Sequence, residues 1–175
     1  IVISHAHGDH VGGLISPDGS LTYPRAQYHV WKEEWTSWQE TAQKPENAES
    51  AVRKSLLAIQ DKIHLIDHEH EFLPGIHAVH APGHTAGHMA LLIESQGERL
   101  LHVVDVIHHP LQVVHPEWSP GFDFHPDVSA VTRRKLLERA DDEDLLTLAY
   151  HFPFPGLGHV THSGAIFEWH PVDAS

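Results

Sequence analysis

Ser4-His5-Ala6-His7-Gly8-Asp9-His10 places three imidazoles and a carboxylate within six residues, directly after the apolar run Ile1-Val2-Ile3. In extended chain, residues two apart point the same way, so His5 and His7 can grip one cation together. Gly8 lets the chain turn, which allows Asp9 and His10 to face a second cation. Imidazole nitrogen and carboxylate oxygen are donors that borderline metals such as Zn²⁺ accept. In a chain with 20 histidines, such a match arises by chance roughly once or twice per hundred shuffled sequences. The stretch therefore needs support from elsewhere in the chain.

Four further features supply it. In Ala81-Pro82-Gly83-His84-Thr85-Ala86-Gly87-His88, His84 sits in a Pro-Gly turn after a strand read over Ile76–His80. Asp105 ends the apolar strand read over Arg99–Val104, where a buried carboxylate is costly unless paired or metal-bound. His151 directly follows a strand read over Leu145–Ala149. Pro153, Pro155 and Gly156 then stiffen the loop that carries it. Each candidate ligand lies at or just past the carboxyl end of a strand, where open α/β sheets place their sites.

The rest of the chain reads as one mixed domain. Further strands are expected at Ile1–Ser4, Ala26–Val30, Ile63–Ile66 and Met89–Glu94, with a closing hairpin from Val160–Thr161 and Ala165–Trp169. Helices are expected at Val11–Ile15, Trp31–Glu40, Ala48–Asp61 and Val128–Ala140, the second with Trp31, Trp35 and Trp38 on one face. Pro116–Asp127 reads as a loop whose Trp118, Phe122 and Phe124 suit a substrate lid or a subunit contact. Strands and helices in this order indicate an α/β layered domain.

Composition narrows the function. A formal charge of −13, from 11 basic and 24 acidic residues, argues against nucleic acid as a partner. The chain has no cysteine, so thiolate metal sites, Cys nucleophiles and disulfides are excluded. No apolar run approaches the roughly 20 residues that a membrane-spanning helix needs. The expected partner is a small-molecule substrate, with no nucleic acid and no membrane; a homodimer is a candidate assembly. Location stays open, with the cytoplasm favoured and an upstream targeting segment allowed.

The pattern His-x-His-x-Asp-His, then Pro-Gly-His-Thr-x-Gly-His, then a strand-end Asp, then a late His resembles the metallo-β-lactamase-fold hydrolase superfamily. Ala149–Gly158 and the helix bearing Arg133-Arg134-Lys135 are similar to its lactonase and methyl parathion hydrolase-like branch. The resemblance implies an αββα sandwich with two divalent transition metal ions, zinc first. His5, His7 and His84 would hold one ion, Asp9, His10 and His151 the other, and Asp105 would bridge. Ions about 3.5–4 Å apart would activate a shared water to attack an ester, lactone or phosphotriester, with Asp9 orienting it and passing a proton. Two departures stand out. Val104 occupies the position before the bridging Asp where the family usually has Gly. The chain also begins at the first motif, so residues 1–175 are expected to be the C-terminal part of a single such domain, lacking an upstream sheet layer and not necessarily active alone.

Other readings remain at this point. A thioesterase of the glyoxalase II type uses the same ligands. A non-catalytic metal-binding module would exploit the many histidines, though such a tract is expected to be clustered and unstructured. A redox di-iron protein normally has an acid where His7 stands. His88 is a candidate to pack behind the ligands, His108 and His109 read as solvent-exposed with reach into the pocket as the alternative, and His64, His68, His70, His77 and His80 as surface or edge residues. Phe152 and Phe154 suit pocket lining or simple packing.

Overall fold

The structure, a computed structural model, describes residues 1–173. Its first sheet holds β1 (Val2–Ile3), β2 (Tyr28–Trp31) and β3 (Ile63–Ile66), all parallel and in that order. Parallel pairing needs long crossovers. Here they carry α1 (Gly8–Val11) before β2, and α2 (Lys32–Ala42) and α3 (Ala51–Ile59) before β3.

The second sheet has the order β10-β9-β8-β7-β6-β5-β4. Its strands are β4 (Glu71–Leu73), β5 (Ile76–His80), β6 (Met89–Ser95), β7 (Glu98–Val104), β8 (Leu146–Ala149), β9 (Leu157–Ser163) and β10 (Ile166–Pro171). Neighbours are antiparallel except β7 and β8, whose crossover contains α4 (Leu111–Val114) and α5 (Pro126–Asp142). Two antiparallel steps bring β5 back into the direction of β7, and β8 follows β7. The carboxyl ends of β5, β7 and β8 therefore share one edge, and His84, Asp105 and His151 all emerge there.

The layers run helix, sheet, sheet, helix. One core packs Tyr28 and Val30 of β2 against Trp35 and Trp38 of α2 and Leu56 and Ile59 of α3. Another packs Leu101 and Val103 of β7 against Leu136, Leu137 and Ala140 of α5. Between the sheets lie Trp31, Ile66, Ala78 and Met89. At this junction the Met89 amide donates to the Ser4 carbonyl at 3.0 Å. That bond ties the start of the first motif to the edge where the other ligands emerge.

Three sequence expectations are corrected. Trp31 is not on the helix with Trp35 and Trp38; it ends β2, paired in register with Ile66, and faces the other sheet. The turn after the first motif begins at Gly8, earlier than Val11, so Asp9 and His10 lie on a helical turn. Strand β4 and helix α4 were not anticipated, and both are short. Val104 has φ +51° and lies where the β7–β8 register shifts. A β-branched side chain in this region is strained by about 1–3 kcal/mol. The family's glycine would adopt this turn without that strain, and the chain holds Val104 there with its side chain buried.

Candidate metal centre

The seven sequence-predicted residues converge into two overlapping groups. His5, His7, His84 and Asp105 form one, and Asp9, His10, Asp105 and His151 the other, with the offered atoms of each group all within 4.8 Å of one another. Asp105 is the hub. Its Oδ2 lies 3.5 Å from His5 Nε2, 3.4 Å from His84 Nε2 and 3.2 Å from His151 Nε2, while its Oδ1 lies 3.2 Å from His10 Nε2. His84 Nε2 and His7 Nδ1 are 2.9 Å apart. His5, His84 and Asp105 are buried, whereas Asp9 is exposed. An open cleft lined by His7, Asp9, His84, Asp105, His108, Phe122 and His151 leads to them.

Several buried polar atoms here have no hydrogen-bond partner, among them His5 Nε2, His10 Nε2 and Asp105 Oδ1. Orphaned buried acceptors are costly and uncommon. A cation would satisfy them, so the donor set fits a metal pair. The electrostatics agree. Burial drives His5 well below the ordinary imidazole range and lowers His7 too, so both keep free lone pairs. Burial alone would raise the Asp105 carboxyl, but the imidazoles of His10, His108 and His84 around it hold it ionised, far below the usual carboxylate range.

His84 is the exception. Burial opposes its charge, yet Asp105 and Asp123 outweigh burial and lift it to about 8. In the metal-free protein it is an imidazolium at neutral pH, and a metal must displace that proton. The affinity for the first ion should therefore rise about tenfold per pH unit up to about pH 8 and flatten above it. Titration calorimetry in buffers of different ionisation enthalpy should record about one proton released at pH 7 as the first ion binds. An affinity independent of pH between 6 and 8 contradicts this assignment.

The residues behind the ligands were less visible in sequence. His88 is fully buried and its Nε2 accepts the Asp105 amide at 3.2 Å. Burial lowers it to about 3, which keeps that acceptor neutral. Asp123 was not anticipated. His84 Nδ1 donates to its Oδ1 at 2.9 Å, the carboxylate support that metal-binding histidines commonly have. Asp123 is held by the fully buried Arg133, 3.4 Å away. The only sequence signal was an acid set between Phe122 and Phe124. Gly83, at φ +129°, lies against α5 so closely that a Cβ there would collide with the Ser129 backbone, which explains the Pro-Gly before His84.

The remaining candidates divide. His108 is not solvent-exposed as expected: its side chain is 14% exposed, with Nε2 3.2 Å from Asp105 Oδ2, and it stacks on His151. His109, His64 and His68 are exposed, and His70, His77 and His80 are half-buried; none of these six joins either ligand group. Phe122 meets the rings of His84 and His108. Trp118 stacks on His115 instead. Phe152 is core, packed on Trp169, while Phe154 is 90% exposed.

The chain has the fold of the metallo-β-lactamase superfamily, to which its structural neighbours belong. Within it the likeness is to the lactonase-like branch. The chain is 31% identical over 142 residues to an N-acyl homoserine lactonase of a Bacillus species, covering 77% of this chain and 49% of the relative. It superposes on the dizinc quorum-quenching lactonase AidC with a TM-score of 0.88 and 30% identity, over 100% of this chain and 64% of that one. A shorter likeness, 30% identity over 97 residues, is to an atrochrysone carboxyl ACP thioesterase of Pseudocercospora fijiensis, covering 55% of this chain and 22% of the relative. The chain thus spans about half the length of the curated lactonase it matches. No family model matches the chain. No helix among the described residues is long and apolar enough to cross a membrane.

Proposed function

We propose that this chain carries the metal centre of a dinuclear hydrolase of esters and lactones, with phosphotriesters as a related class. One observation carries the reading: strand ends distant in sequence bring five imidazoles and two carboxylates into two groups that share Asp105. His5, His7 and His84 would hold one divalent ion, Asp9, His10 and His151 the other, with Asp105 offered to both. The nitrogen and oxygen donors suit zinc and also admit manganese, iron or cobalt; zinc is the proposed metal. Such ions would supply Lewis acidity and bring the pKa of a shared water towards neutrality.

The chain's own groups provide the rest. The Asp9 side chain is 53% exposed and its Oδ2 lies 3.5 Å from His10 Nε2 and 3.6 Å from His151 Nε2. It can orient a water at the cleft floor and hold the proton that the water gives up. His108 lines the same cleft and can hydrogen-bond a substrate oxygen. Beside His7 a second cleft of about 240 Å³ is lined by Trp38, Ala42, Val52, Ala86 and Phe124. It suits an apolar arm, and AidC is described in complex with the product N-hexanoyl-L-homoserine. The likeness to a thioesterase favours a second reading, in which the bond broken is a thioester.

The test is metal analysis of the purified protein and assay on an N-acyl homoserine lactone, an aryl ester, a phosphotriester and an acyl thioester. About two transition-metal ions per chain are expected, with lactone opening that a chelator removes and zinc restores. A thioester turned over in preference to the lactone selects the second reading. A protein that neither binds metal nor cleaves any of the four ends both.

A further inference from the structure

Glu34 is a buried carboxylate in the first turn of α2, 4% exposed. Its Oε1 accepts the Ala6 amide at 2.9 Å. Its Oε2 accepts the Thr85 hydroxyl at 2.6 Å and the Gly87 amide at 3.1 Å. Ala6 lies between His5 and His7, Thr85 follows His84, and Gly87 precedes His88. One side chain therefore grips the first ligand loop with one oxygen and the second ligand loop with the other. The approach is close because residue 87 is glycine; a Cβ there would collide with the Glu34 backbone nitrogen.

We infer that Glu34 is a positioning residue that locks the His5–His7 loop to the His84 loop, presetting the three imidazoles proposed to hold the first ion. The inference rests on the two-metal reading above. All three partners of Glu34 are donors, so both of its oxygens must act as acceptors. No neutral isostere meets that demand. A glutamine has one acceptor oxygen, and its amide group must then face either the Ala6 N–H or the Gly87 N–H, leaving one loop opposed. Supports of this kind behind metal ligands typically contribute about 10–100-fold in affinity.

The experiment compares wild type, Glu34→Gln and Thr85→Val by chelator competition for Zn²⁺, by the visible spectrum of the Co²⁺-loaded protein, and by amide exchange in the metal-free protein. Glu34→Gln should bind the first ion about 10–100-fold more weakly, shift the Co²⁺ bands, and speed exchange at Ala6 or Gly87. Thr85→Val, which keeps both amide bonds, should show the same changes more weakly and decides the matter if Glu34→Gln fails to fold. A purely structural Glu34 would lower the melting temperature and leave the affinity and Co²⁺ bands of the folded protein at wild-type values; that result overturns the inference. If wild type binds no metal, the two-metal reading falls separately, and unchanged exchange at Ala6 and Gly87 in the variant removes the clamp as well.

Discussion

Asp105→Ala should abolish the proposed metal binding and the proposed hydrolysis together. Each of five imidazoles, those of His5, His10, His84, His108 and His151, has a nitrogen within 3.5 Å of an Asp105 oxygen. Removing the carboxylate takes a donor from both candidate ligand groups at once and removes the negative charge that would balance bound cations. Metal affinity is expected to fall more than about 100-fold, beyond the effect of losing a supporting residue. Turnover of a lactone or aryl ester should fall on the order of a thousandfold, about 4 kcal/mol of barrier. Asp105→Asn keeps the shape and drops the charge, so it should fall in the same direction and separate charge from packing. The checks are metal content after dialysis and initial rates at saturating zinc. An Asp105→Ala protein with wild-type turnover would exclude a shared ligand.

The largest loss of stability is expected at Arg133. Its guanidinium is fully buried. It donates to the carbonyls of Val106, Pro116 and Trp118 at 2.7, 2.7 and 2.9 Å, to Ser129 Oγ at 3.1 Å and to Asp123 Oδ2 at 3.4 Å. Arg133→Met fits the stem but orphans these acceptors and leaves the Asp123 carboxylate buried without its cation. Breaking one side of a buried pair costs about 3–5 kcal/mol. At this chain length that lowers the melting temperature by about 6–20 °C. Arg133→Lys should not rescue it, because an ammonium cannot reproduce the planar fork that reaches several acceptors at once. A Met variant melting within about 2 °C of wild type would show that the loop between β7 and α5 does not depend on this group. Because Asp123 also holds His84, the same variant should loosen the first ligand group.

The candidate ligands could be picked out in the sequence because each group of them stands at or just past the end of an apolar run. Residues two apart in extended chain share a direction, and strand ends in such sheets gather at one edge. The supporting residues lacked any such local signal. Asp123 meets His84 across 39 positions and Glu34 meets Thr85 across 51. In sequence Glu34 is one of three acids on an amphipathic helix, with Glu33 and Glu40. His108 looked exposed because nothing local shows that the turn after Asp105 folds back over His151.

Trp31, Trp35 and Trp38 fit a helical spacing, yet strand pairing with Ile66 overrode periodicity for the first of them. Strand β4 and helix α4 span three and four residues, too short for any period to register.

The sequence by itself determined which groups this protein can offer a cation, since donor type and strand-end position are local properties of the chain. It also determined the layered α/β class, through the alternation of apolar runs and helical stripes. Only the tertiary structure decided that these groups meet around Asp105. Three strands running in one direction and the Met89–Ser4 bond between the sheets set that meeting. Which buried carboxylates stand behind the ligands was decided there too, because a carboxylate's role depends on donors that the chain brings to it from far away.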